Sequence, residues 1–370
     1  MKEIKKIKEV QIKRAQILDL TRDFFKKRGF LEVQTPILTK DISTEPYIDP
    51  VPVKFFDDKN KIYRGYLITS PEYSLKKLLA LDFDKIFEIT KAFRQKEALG
   101  GLHNPEFTIL EWYRTHADYR HIMKDTEELV YDLVKKLHHH PYFFYQRQKI
   151  DVSLPWLRIS VKQAFKKYAR INLDKTRNLQ YLETIIKQRG YKNLRFAQNL
   201  FSPCPSGRRG SARNRVDPAR GGADLSAQTN WNDLFYLIFL NEIEPQLPKD
   251  KAIILYDYPL PQAALAKRKN KKSFYAERFE TYIGGMEISN AFSELLDWRE
   301  QLKRLKEDQK LRKRLKKEFI NIDKTFIQAL KLGIPASGGN ALGIDRLQML
   351  LLDIKDIDEL LPFPARKIFN

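Results

Sequence analysis

Glu280, Glu287 and Glu294 recur at intervals of seven in the segment ERFETYIGGMEISNAFSELLDWRE. Carboxylates flanking the pair Gly284 and Gly285 suit a hard cation that bridges phosphates, because Mg²⁺ takes few carboxylates and keeps water and substrate oxygens. The competing reading is three surface glutamates in a chain rich in charge. Downstream, SGGNALGIDRLQML sets Arg346 at the start of a predicted helix, where anions are readily bound. A third stretch, FEITKAFRQKEALGGLHNPEFTILEWY, predicts a strand ending in Arg94, a polar Gly-rich loop, and a second strand, hence a hairpin. Alternation along the second strand puts Phe107, Ile109, Glu111 and Tyr113 on one face. A lone acid among large apolar groups is costly to bury. It makes sense if Glu111 meets a cationic ligand, or else if that strand is partly solvated.

These residues need elements to hold them. The period of apolar residues predicts an amphipathic helix over 10–28, with Ile17, Leu18, Thr21, Phe24 and Phe25 on one side and Gly29 as its stop. A short strand over 30–33 then runs into Pro36. Further strands are predicted over 65–69, 85–93, 107–113, 252–256, 279–283, 287–289 and 292–295. Helices are predicted over 71–80, 119–137, 231–244, 297–317 and 323–332, followed by a Gly-rich turn and a closing helix from Asp345. The strands in the middle are too closely spaced for helical crossovers, so the expected class is α+β, an antiparallel sheet with helices around it.

At 370 residues with 42% hydrophobic residues, the chain can bury an ample core. The single cysteine, Cys204, excludes an internal disulfide and suits a reducing compartment. With no long apolar run and no apolar block behind the basic N-terminus, no membrane span or secretory signal is expected, and the cytoplasm is the expected location. The net charge of +21 fits a nucleic acid, an acidic protein partner, or a lysine-rich source composition. The segment 202–228 stands apart, with five arginines, no lysine, and no Ile, Phe or Tyr. Its Gly, Pro and Ser content predicts a disordered loop or a foreign insert. His138, His139 and His140 at a helix end cannot all face one ion, so a solvated end is expected there.

Taken together, residues 24–36 (FFKKRGFLEVQTP), the stretch around Arg94 and the stretch from Glu280 to Arg346 resemble, in order and spacing, the three signature motifs of class II aminoacyl-tRNA synthetases. Within that class SPEYSLKKLL, HNPEFTILEWY, GGMEISNAFSELLD and GGNALGIDRL look like lysyl-tRNA synthetases. The likeness covers nearly the whole chain apart from 202–228. It implies one class II synthetase-type catalytic domain over 1–370 that uses ATP and Mg²⁺ to activate lysine or a close analogue as an adenylate. By that resemblance Arg94 contacts the α-phosphate and the substrate carboxylate, and Phe107 stacks on adenine with Arg346 on its other face. His103 lies near the triphosphate or adenine. Glu280 and Glu287 match the magnesium carboxylates, with Asn290 beside them. Glu72 takes the α-ammonium, and Tyr113 and Glu294 take the ε-ammonium, with Glu111 and Phe292 shaping the pocket. The loop after Arg94 reads one residue longer than the family pattern, which leaves Glu97 as the favoured acid there.

Only 23 residues precede Phe24, too few for the anticodon-binding barrel of a full lysyl-tRNA synthetase. The chain instead resembles the short paralogues that ligate (R)-β-lysine to elongation factor P. Ala341, where lysyl-tRNA synthetases have glycine, fits a pocket reshaped toward a β-amino acid, or plain packing. The resemblance thus implies elongation factor P as acceptor and a homodimer formed through residues 30–36. The alternatives are a truncated synthetase that charges tRNA and a non-catalytic binding or regulatory paralogue.

Overall fold

The alternation that puts Glu111 beside Phe107 and Tyr113 becomes the middle of the molecule. In the computed structural model, which describes residues 2–191, 230–263 and 265–369, the strands run in chain order as follows. The first are β1 (Leu31–Glu32), β2 (Leu38–Thr39), β3 (Val51–Phe56), β4 (Ile62–Leu67), β5 (Lys85–Phe93) and β6 (Glu106–Thr115). Then come β7 (Tyr142–Tyr145), β8 (Gln148–Asp151), β9 (Leu157–Ser160), β10 (Ile253–Tyr256), β11 (Arg278–Ile283), β12 (Met286–Ser293) and β13 (Ser337–Gly343). Eight of them form one sheet in the order β1-β5-β6-β13-β12-β11-β10-β9.

The class expected from sequence, α+β with helices around a sheet, is the class observed. Pairing from β5 through to β10 is antiparallel. The two outer pairs, β1 with β5 and β9 with β10, are parallel, which the short spacings had hidden. Their connections are long because a parallel return needs a crossover.

Two strand expectations change. The run 287–289 and the first half of the run 292–295 are one continuous strand, β12, which ends at Ser293 and pairs with β11 through the tight turn at Gly284 and Gly285. Both glycines have φ in the left-handed region, at 61° and 76°, the conformation a two-residue hairpin turn demands. The expected Gly-rich turn after residue 332 is also a strand: β13 lies in the centre of the sheet between β6 and β12. Glycine weakens strands in general. At Gly339 it is required, because a methyl there would overlap the ring of Tyr113.

One face of the sheet is sealed by the helices Lys2–Lys26 and Tyr119–His138 over a core containing Phe25, Phe87, Leu110, Trp112 and Leu342. Leu110 and Trp112 alternate with Glu111, so the same strand builds the core on one side and the cleft on the other. The first helix also reaches the far end of the chain. Arg14 donates to Asp345 Oδ1 at 2.7 Å and to Gln348 at 3.0 Å, and Asp345 Oδ2 accepts from the Thr108 amide at 2.6 Å. This buried junction fixes helix Ile344–Leu351, and so Arg346, against β6. The 202–228 segment lies outside the described residues. Among the described residues no helix is long and apolar enough to cross a membrane.

Candidate active site

The open face of the sheet is a cleft of about 1760 Å³. That exceeds the roughly 300–1,000 Å³ typical of small-ligand pockets and leaves room for two molecules. It is lined by Glu72, Arg94, Glu97, His103, Phe107, Glu111, Tyr113, Glu280, Glu287, Asn290, Phe292, Ala341 and Arg346. Residues far apart in sequence thus meet in one place. Glu294 is the exception among the residues singled out from sequence, since it does not reach the cleft surface.

At one end the site is cationic. Arg94 ends the β5 hairpin arm, and its guanidinium rests 4.9 Å from the centre of the Phe107 ring, a distance at which cation–π attraction holds it. Arg346, from the first turn of helix Ile344–Leu351, donates to the Glu287 carbonyl at 3.1 Å. Phe107 thus already carries one cleft guanidinium, that of Arg94, on its ring. In the loop between the hairpin arms Lys96 takes a left-handed φ of 60° and pairs with Asp49. Glu97 then falls inside, with His103 Nδ1 at 3.0 Å. Burial pushes the Glu97 carboxyl up, but His103 and Arg94 outweigh it and hold the group below its ordinary value. Burial, with Arg346 and Arg94 adding to it, holds His103 below its usual value despite Glu97, so the imidazole is neutral near pH 7.

The carboxylates at the hairpin β11–β12 differ from each other. Glu280 is fully engaged: Tyr258 and Tyr282 donate to Oε2 at 2.5 and 2.7 Å, and Arg278 donates to Oε1 at 2.7 Å. Glu287 faces the cleft. Burial raises its carboxyl to about 7, Glu280 adds to the rise, and Arg346 opposes it. A divalent cation suits this pair, since Mg²⁺ is held by one or two carboxylates plus substrate phosphates. Glu287 would be the more available ligand and Glu280 the more rigid one.

The other end of the cleft is acidic and aromatic. Glu111 is fully buried and accepts from the Ser70 hydroxyl and, at 3.2 Å, from the Tyr113 hydroxyl. Burial, with Glu72 adding to it, raises its carboxyl to about 8. Ala341 lies opposite Glu111 on one side and Asn290 on the other, in the middle of the sheet. Asn290 accepts from Arg278 at 3.0 Å. Glu294 is 3% exposed and grips the ammonium of Lys76 at 2.5 Å, which Glu72 shares at 2.6 Å.

Sequence reasoning missed Ser70, Lys76, Arg278, Tyr258 and Tyr282. Ser70 and Lys76 lay inside the quoted SPEYSLKKLL. Nothing in that pattern marks which of its two lysines turns inward.

The family model for class II tRNA synthetases (D, K and N) matches residues 3–367. A lysine–tRNA ligase of Magnetococcus marinus is 33% identical over 98% of the chain, and the chain spans 64% of that protein's length. An elongation factor P–(R)-β-lysine ligase of Hamiltonella defensa is 33% identical, covering 96% of the chain and 95% of the relative. One from Haemophilus influenzae is 32% identical, covering 95% and 94%. With the family model spanning almost its whole length, and the cleft built from that model's own stretch of sequence, this chain belongs to the class II tRNA synthetases of the D, K and N group.

Proposed function

We propose that this protein activates lysine or (R)-β-lysine with ATP and passes it to a lysine side chain of elongation factor P. The carrying observation is that a cationic half, Arg94 and Arg346, and an ammonium-accepting half, Glu72, Glu111 and Tyr113, share one cleft. An amino acid with two ammonium groups fits the second half with its carboxylate turned toward the first. That carboxylate attacks the α-phosphorus of ATP, an aminoacyl-adenylate forms, and pyrophosphate leaves. The acceptor amine then attacks the acyl carbon, forms an amide, and releases AMP. Neither step needs a covalent enzyme intermediate. Arg94 and Arg346 stabilise charge that builds on the phosphoryl oxygens, and the pocket acids orient the substrate. Magnesium held by Glu287 and Glu280 would neutralise phosphate charge.

Buried acids facing an ammonium also give selectivity. A substrate lacking the distal amine would leave them unpaired, at a cost of about 1–3 kcal/mol or more. The protein acts as one catalytic domain and as a homodimer through residues 30–36. Exposed Leu31 at the sheet edge supports the latter, since an unpaired edge strand invites pairing.

The second reading, transfer to tRNA, is favoured by the Magnetococcus relative, which is a lysine–tRNA ligase. Incubating the protein with ATP, labelled (R)-β-lysine or lysine, and either purified elongation factor P or bulk tRNA separates the two. Label on elongation factor P and not on tRNA is expected; label on tRNA alone would overturn the choice of acceptor.

A further inference from the structure

Lys76 is 2% exposed, an unusual place for a lysine on a helix of only eight residues, Glu72–Leu79. Its neighbour Lys77 turns away and pairs at 2.5 Å with Asp323, the N-cap of helix Lys324–Leu332. Lys76 turns inward instead. Its Nζ lies 2.6 Å from Glu72 Oε1, one helical turn back, and 2.5 Å from Glu294 Oε2. The same atom lies 4.9 Å from the centre of the Phe292 ring and 6.0 Å from that of Tyr113. Both rings line the cleft, so the ion pair sits one side chain behind its wall. The second oxygen of Glu294, Oε1, is buried and has no hydrogen-bond partner among the described residues. A buried acceptor left unpaired is costly and calls for an explanation.

Building on lysine activation as proposed above, we propose that Lys76 is a positioning residue for amino-acid selection: it grips Glu294 through Oε2 and orients that carboxylate behind the rings of Phe292 and Tyr113, leaving Oε1 for the distal ammonium of a substrate that reaches between them. The charged and titratable groups facing it are Glu72 on its own helix, Glu294 just past the end of β12, and Glu111 and Tyr113 on β6. Burial, with Glu72 adding to it, drives the Glu294 carboxyl up to about 8 even against the downward pull of Lys76. Burial works against the Lys76 ammonium as well, but Glu294 and Glu72 more than restore it. Without Lys76 the downward pull on Glu294 is lost. The carboxyl then holds its proton to still higher pH and offers an ammonium much less. Raising the pH through its new, higher value ionises it again.

The test is ATP–pyrophosphate exchange with wild type, Lys76→Met and Lys76→Arg between pH ~7 and ~9, a window that brackets the raised carboxyl. In Lys76→Met the KM for the amino acid is expected to rise at least about tenfold near neutral pH, as when one partner of a buried pair is removed. KM for ATP stays near wild type, the defect shrinks as the pH rises, and Lys76→Arg recovers most of the affinity. If Lys76→Met does not fold, Lys76→Gln, which keeps a donor for Oε2 but not the charge, carries the same test. An unchanged or lower amino-acid KM would overturn the proposal, because Lys76 would then be a bystander or a competitor. A fall in kcat with no pH-dependent change in KM would also overturn it, as a purely structural effect. Wild-type protein without lysine-dependent exchange would remove the proposed function and this role together, whereas normal exchange in an unaffected variant removes only the role of Lys76.

Discussion

Glu280 and Glu287 face related chemistry with different surroundings. Two tyrosines and an arginine hold Glu280, while Glu287 turns to the cleft with its carboxyl raised to about 7 by burial and by Glu280. A raised carboxyl is charged only above its folded value, and magnesium binds the charged form. On the proposed role of Glu287 as a magnesium ligand, affinity for the metal is expected above pH ~7 and is lost as pH falls through that value. The Mg²⁺ concentration for half-maximal pyrophosphate exchange is expected to increase as pH drops from ~8 to ~6, by up to about tenfold per unit. Glu287→Gln should weaken magnesium use and flatten that dependence; a flat wild-type profile would contradict the assignment. At this scale sequence spoke clearly where a residue broke its local pattern. Glu111 stood out because alternation forced an acid onto an aromatic face. Lys76 did not, because a lysine four residues after a glutamate normally reads as a solvated pair. Only the approach of Glu294 from a distant strand makes it a buried ion.

Among the elements, the hairpin of β5 and β6 was legible to within a residue or two, since both strands carry strong apolar patterns. β13 was misread as a turn because its glycines answer to distant residues, Gly339 to the ring of Tyr113 and Gly338 to Ile122, and not to their neighbours in sequence. The fusion of the 287–289 run with the first half of the 292–295 run into β12 was hidden for a similar reason, since Asn290 interrupts the apolar pattern in order to reach Arg278. The two-residue strand β1 at the sheet edge has Leu31 53% exposed. An apolar edge of this kind is a pairing surface. Light scattering is expected to give twice the chain mass, and Leu31→Glu to shift it toward the single-chain mass. A wild-type protein with the single-chain mass would rule out the dimer through residues 30–36.

Across the molecule, residues separated by more than two hundred positions converge on one cleft, and the first helix locks the arrangement by joining Arg14 to Asp345. The α+β class could be read from strand spacing. The parallel outer pairs, and the clamp between the two ends of the chain, could not, because each joins segments with no shared local pattern. The net charge of +21 fits an acidic acceptor and does not identify one. The most direct test of the central claim is ATP–pyrophosphate exchange on the purified protein with lysine, with (R)-β-lysine and with no amino acid. Exchange that depends on a diamino acid and magnesium is expected, with (R)-β-lysine the better substrate. No exchange above the amino-acid-free background with either compound would contradict the claim that this cleft forms a lysine adenylate.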